Sequence, residues 1–308
     1  MTYSIVARDP ETGRLGVAVQ SRYFGVGSTV PWAEPGVGAI ATQSFVEVSY
    51  GPRGLELLRD GASAPDALEA LLGEDDGRDV RQVAMVDANG EAAVHTGARC
   101  VQAAGHVIRE GVSAQANMME RDTVWDAMLA SFADTDGAGF PERLLAALRA
   151  AEGEGGDVRG RQSAALLVVE ADRSLPSWER AIDVRVEDHP DPLGELERLV
   201  RLREAYRFFE TGNDSAMDGD LVRAAEEQSR ARELAPDDDA IAFGLGLAMM
   251  GSGRIDEAQA LLEQARSANP RWALYLRRLA AAGILPSDPA FLDALMPLNP
   301  RGHDDPSS

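Results

Sequence analysis

A hydroxyl and a free α-amine on one residue form a complete nucleophile and base, and Thr2 would carry both once Met1 is removed. A residue as small as threonine at position two permits that removal. An α-amine has an ordinary pKa of about 7.7–8.0, so part of it is neutral and able to accept a proton near physiological pH. Such a nucleophile needs an oxyanion donor and groups that hold the substrate. Polar residues stand at the ends of apolar stretches in four places: Gln20-Ser21-Arg22, Thr42-Gln43-Ser44, Gln115-Ala116-Asn117, and the segment from Asp157 through Arg159, Arg161 and Gln162 to Ser163. Asn117 has the amide N–H groups of an oxyanion donor. Arg22 and Arg161 have the forked guanidinium that grips a carboxylate.

Other chemistries find little support. The chain has no P-loop, no HExxH, no GxSxG and no CxxC pair. Gly25-Val26-Gly27-Ser28 reads as a turn more readily than as a phosphate loop. His95, His106, His189 and His303 show no ligand spacing, so neither metal nor cofactor is expected. Cys100 is the single cysteine, which excludes a disulfide framework.

The elements that must position these residues follow from periodicity. Residues 2–8 read as a strand, Asp9-Pro10-Glu11-Thr12-Gly13 as a turn, and 15–20 as the returning strand. Residues 37–43 form a third strand of small apolar residues. Helices follow at 51–60 and after Ser63, a plausible N-cap with Pro65 in the first turn. Strands return at 83–86 and 92–95 around the turn Asn89-Gly90, and again at 111–117. Helices at 123–132 and 141–152 precede strands at 163–169 and 182–186. Strand groups separated by helix pairs predict an α+β fold, a four-layer αββα sandwich, because each helix pair can cover one sheet face. A doubly wound sheet would alternate single strands and helices.

Beyond about residue 213 the pattern is helical and repeats at a shift of 34 positions: Phe209 on Phe243, Gly219 on Gly253, Leu221 on Ile255, Ala224 on Ala258 and Pro236 on Pro270. That period and its small residues resemble tetratricopeptide repeats. Two such units need a cap, supplied by the first domain or by a helix over 272–282. The expected domains are therefore 1–212 and 213–298, with a disordered tail at 299–308.

Composition bounds the partners. Among 308 residues, 44% are hydrophobic and 26% charged, and the net charge is −21. So acidic a chain disfavours nucleic acid and anionic membranes. The absence of a signal-like start or of a long apolar run makes cytoplasm the expected compartment.

Six segments then resemble one family: residues 2–9, Val30-Pro31-Trp32-Ala33, residues 36–43, Tyr50-Gly51-Pro52-Arg53-Gly54, residues 159–167, and Asp188-His189-Pro190-Asp191-Pro192. In this order they are similar to the bacterial domain of unknown function 1028 family, over about residues 2–210. The family is grouped by fold with the N-terminal nucleophile (Ntn) hydrolases. The resemblance implies amide-bond hydrolysis through Thr2, with Gln20-Ser21-Arg22 placed like the strand-end polar residues near the nucleophile of relatives. The residues themselves offer Ser21, Gln43 and Asn117 beside Thr2 and Arg22, Arg161, Gln162 and Ser163 toward the substrate. The lysine that proteasome subunits carry on the third strand has no counterpart in 39–43. The expected partners are a small amide substrate, a second copy in a homodimer, and a protein bound by the C-terminal helices. The rival expectation is a non-catalytic sandwich that scaffolds the helical tail.

Overall fold

The computed structural model describes residues 2–135 and 137–297. Its first part runs β1 (Thr2–Arg8), β2 (Leu15–Ser21), β3 (Pro31–Glu34), β4 (Gly38–Ser44), α1 (Tyr50–Arg59) and α2 (Ala64–Glu74). Next come β5 (Arg81–Asp87), β6 (Ala92–Thr96), β7 (Gly105–Arg109), β8 (Val112–Asn117), α3 (Val124–Asp134), α4 (Phe140–Gly153), β9 (Ser163–Val169) and β10 (Ile182–Val186). Among the described residues the strands form two antiparallel sheets, one in the order β10-β9-β2-β1-β8-β7 and one in the order β3-β4-β5-β6.

Strand alternation assigns the layers. On β1, Tyr3, Ile5 and Ala7 pack with Met128 of α3 and Leu144 and Leu148 of α4. Leu144 and Leu148 are fully buried and contribute roughly 1.5–3 kcal/mol each. On the opposite face Val6, Val17 and Val19 meet Ala39, Ala41 and Ala84 of the smaller sheet. The outer face of that sheet packs Ile40, Val83 and Met85 against Leu55, Leu58, Leu68 and Leu71 of α1 and α2. The result is the expected helix–sheet–sheet–helix order. Gly51 and Gly54 let α1 approach closely: a Cβ on them would lie 2.3 Å from the Trp32 ring and 2.6 Å from Ile40 Cδ1.

Local signals hold where side chains supply them. Ser63 accepts from Asp66 N at 3.3 Å to cap α2. Gly90 has φ of 89° in the turn between β5 and β6. Residues 26–28 form a short 3-10 turn at the stretch with a weak phosphate-loop resemblance. Two strands depart from the sequence expectation, β3 and β7. Each is an edge strand of four or five residues, and β7 is partly exposed, so neither has a strong apolar period.

The chain divides into compact units at Val200 and Arg201. That division falls inside one helix, α5 (Pro192–Met217), as does the expected boundary at 212/213. Leu193, Leu196 and Val200 of α5 belong to the core against α3 and α4.

The second unit continues with α6 (Leu221–Leu234), α7 (Asp239–Gly251), α8 (Ile255–Ala268), α9 (Trp272–Ala281) and α10 (Pro289–Leu295). The 34-residue register is physical. Gly219 and Gly253 adopt φ of 85° and 86° and release the chain into the next helix. Ala224 and Ala258 are fully buried. Gly212 and Gly246 occupy matched close approaches, to Gln228 Cγ at 2.5 Å and Leu262 Cγ at 2.9 Å from a built Cβ. Trp272 of α9 stacks on Phe243 at 4.6 Å, and Leu292 of α10 with Met296 packs in the same core as Leu276 and Ala280 of α9. The expected disordered tail, 299–308, lies outside the described residues. Among the described residues no helix is long and apolar enough to cross a membrane.

Candidate active site

Antiparallel pairing brings the polar tips of β1, β2, β8 and β9 together, and the facing sheet adds that of β4. Thr2 pairs with Ser21 on one side and with Asn117 on the other, and Ser21 pairs with Ser163. The alternation that turns Val6 toward the smaller sheet turns Thr2 and Ser4 the same way. Thr2 is 5% exposed, and its hydroxyl donates to Ser21 Oγ at 3.1 Å. Its carbonyl accepts from Gln43 Nε2 at 3.3 Å and from Asn117 Nδ2 at 3.4 Å.

A buried chain of uncharged groups extends from this point. Ser113 Oγ donates to Gln115 Oε1 at 2.9 Å, and Gln115 Nε2 to Ser4 Oγ at 2.6 Å. Ser4 Oγ donates to Gln43 Oε1 at 2.7 Å, and Gln43 Nε2 to Gln82 Oε1 at 2.7 Å. Asn117 Nδ2 reaches the same Gln82 oxygen at 2.9 Å. Gln82 Nε2 donates to the carbonyls of Ala116 at 2.9 Å and Gly105 at 3.1 Å, and to Thr96 Oγ1 at 2.9 Å. Thr96 meets His106 Nδ1 at 2.8 Å. Burial lowers the His106 pKa and the neighbouring His95 adds to it, which suits a neutral ring that accepts this proton. The donors run head to tail from the six-stranded sheet across the sandwich, so each bond polarises the next.

The expected residues therefore separate. Thr2, Ser21, Gln43 and Asn117 converge. Both N–H groups of Asn117 point at Gln82 and at the Thr2 carbonyl, so its amide positions Thr2 and is engaged within the protein. Arg161, Gln162 and Ser163 are turned to other tasks. Ser163 Oγ accepts from Val26 N at 3.1 Å and donates to the Tyr23 carbonyl, pinning the loop after β2. Gln162 Nε2 donates to Asp188 at 3.1 Å. Arg161 lies 3.5 Å from Glu152 and 3.7 Å from Asp191, which offset its charge. Arg22 places Nη1 3.3 Å from the Arg161 carbonyl, while its backbone N–H donates to buried Asp157 at 3.1 Å. Asp157 in turn pairs with Arg159 at 3.1 Å.

On the opposite face of β1, the Tyr3 hydroxyl donates to Glu152. Burial first, and the Glu152 charge second, hold the phenol far above its ordinary pKa, so it stays protonated.

Ser4, Gln82 and Thr96 were missing from the sequence-derived set. Ser4 follows from Thr2 by the period of two. Gln82 precedes the apolar run 83–86, but nothing in one strand says which residue of a facing sheet it will meet.

Backbone conformation marks the same end. Among the described residues, Ser44 and Met118 are the non-glycine residues with positive φ, at 71° and 61°. Each directly follows a network residue, Gln43 or Asn117. Left-handed backbone costs a side-chain-bearing residue roughly 1–2 kcal/mol and tends to cluster at functional sites. A branched Cβ raises that cost. Ser44→Val is therefore expected to unfold in urea with about 1–2 kcal/mol less stability than Ser44→Gly. Equal midpoints would show that the conformation at 44 is unstrained.

With this geometry established, likeness to known proteins adds the family. A model described as a family of unknown function (DUF1028) matches residues 2–196, and one described as a tetratricopeptide repeat matches residues 216–282. The crystal structure of protein SPO2555 from Silicibacter pomeroyi, titled with the same family model, is 37% identical. The match covers 65% of this chain and 88% of that one, with a TM-score of 0.59. No curated protein matches the chain. Repeats of the tetratricopeptide type commonly build extended surfaces for protein partners. The chain belongs to the DUF1028 family through residues 2–196 and carries tetratricopeptide repeats behind them.

Proposed function

We propose that the first unit is an N-terminal nucleophile amidohydrolase that acts through Thr2 after loss of Met1. The observation that carries this reading is the placement of Thr2: its hydroxyl lies inside the sandwich against Ser21, and its carbonyl is held from both Gln43 and Asn117. In the proposed reaction the Thr2 hydroxyl attacks an amide carbonyl carbon while the α-amine takes the hydroxyl proton. The tetrahedral intermediate collapses as that proton passes to the leaving nitrogen. The C–N bond breaks and an ester to Thr2 remains. Water then adds to the ester, with the α-amine accepting its proton, and the acid departs as the hydroxyl is restored.

The sequence makes this reading unusually testable, because all 30 basic Lys/Arg residues are arginine. With no lysine side chain, the α-amine is the chain's primary amine of ordinary reactivity. Intact-mass spectrometry is expected to show loss of Met1, and incubation with activated amides should leave one acyl adduct on Thr2. Reductive methylation should then modify one amine and suppress adduct formation. Retained Met1 in freshly purified protein sinks the proposal, because the base would be locked in a peptide bond. That outcome favours the second reading, a scaffold for partners of the helical repeats, which rests on the repeat match at 216–282.

A further inference from the structure

The large apolar side chains that the first unit leaves exposed are unevenly placed. Tyr23, Phe24, Phe45 and Val158 are each more than half exposed, and Val46 and Val48 are over one third exposed. All six lie on loops that leave or enter the strand ends around Thr2. Tyr23 and Phe24 follow Ser21 of β2, Phe45 to Val48 follow Ser44 of β4, and Val158 leads into Ser163 of β9. Among the described residues, the loops at the opposite end of the sandwich expose one large apolar side chain, Trp178. Isolated exposed apolar groups are ordinary, but a concentration around a site signals what the site binds.

The backbones beneath these side chains are tied down. The Tyr23 carbonyl accepts from Ser163, the Phe45 carbonyl accepts from Arg81 Nη1 at 2.6 Å, and Val158 N donates to the Met118 carbonyl at 3.3 Å. The apolar groups are thus held outward on anchored loops. Electrostatics narrow the occupant. The groups around Thr2 are hydroxyls and primary amides. Of the cations at this end, Arg81 faces Asp75, Arg159 faces Asp157 and Arg161 faces Glu152, while the Arg22 guanidinium lies against the Arg161 carbonyl. A net charge of −21 repels anions and opposes close approach of a second copy.

We propose that this rim binds the apolar acyl portion of an uncharged amide whose carbonyl reaches Thr2. The inference rests on the proposed role of Thr2 for the chemistry, and on the rim alone for the apolar group. It is tested by calorimetric binding of acetamide, butanamide, hexanamide and octanamide to the full-length Thr2→Ala protein, which does not turn over. Affinity is expected to rise with chain length, by up to about fourfold per buried methylene. Phe24→Ser combined with Phe45→Ser should flatten that slope without lowering the melting temperature, since both rings are exposed.

Equal affinity from acetamide to octanamide overturns the proposal, as does tighter binding of succinamate than of hexanamide. So does a dimer in sedimentation that the double variant dissociates, if no chain-length slope accompanies it. The two readings fail separately. A slope in Thr2→Ala protein with no adduct on the unsubstituted protein removes the nucleophile and keeps the apolar site. An adduct with a flat slope does the reverse.

Discussion

Thr2→Ala is expected to lower turnover of an acyl anilide by about 10⁴-fold or more while leaving the fold intact. Loss of the attacking oxygen removes the covalent route altogether, and deletions of single nucleophiles in hydrolases cost at least this much. The structural cost is small by comparison. Among the described residues the Thr2 hydroxyl donates to Ser21, while the carbonyl held by Gln43 and Asn117 survives the substitution. One lost neutral hydrogen bond is worth about 1 kcal/mol. Thr2→Ser restores a hydroxyl and should recover measurable turnover. The pH profile of the unsubstituted protein should rise as the α-amine loses its proton, with a midpoint displaced from about 8 by whatever the site does to it. Turnover by Thr2→Ala within tenfold of the unsubstituted protein would place the chemistry elsewhere.

The largest stability effect belongs to Gln82→Leu, expected to remove about 3–5 kcal/mol. The substitution roughly conserves volume but deletes a hub. Gln82 is fully buried and accepts from Gln43 and Asn117 while donating to Thr96 and to the carbonyls of Ala116 and Gly105. Each buried polar group left without a partner costs roughly 1–3 kcal/mol, and the groups of one network do not add simply. The urea midpoint should fall with an unchanged slope. Activity should fall as well, because Gln43 and Asn117 would be free to release the Thr2 carbonyl. A change below 1 kcal/mol would mean that water replaces the amide without penalty.

Much of the fold was legible because short-range chemistry encodes it. Asn89-Gly90 names a hairpin, Ser63 with Pro65 names a helix start, and the 34-residue shift names a stacked helix pair. β3 escaped because four residues, a proline and a glutamate among them, are too few to show a period, and β7 because it is largely exposed. The site was half legible. Strand-end placement singled out Thr2, Ser21, Gln43 and Asn117, and the fold brings these four together. The contacts of Gln82 with Ala116 and Asn117 across the sandwich were not legible, because how two sheets slide over one another is decided by packing between residues 34 and 35 positions apart. The neighbours of Arg161 were not legible either, for a related reason. Its partners, Glu152 and Asp191, lie on α4 and just before α5, and only the folded chain sets them beside the loop.

The alternation along β1 has a consequence for fidelity. A shift of one residue against β2 and β8 would exchange the two faces of the strand. Tyr3 and Ile5 would then be forced into a gap lined by Ala39, Ala41 and Ala84, too narrow for either. The misaligned chain is thus rejected by side chains that never touch Thr2. The position of the Thr2 hydroxyl is measured off by an internal ruler, the packing of residues further along the same strand.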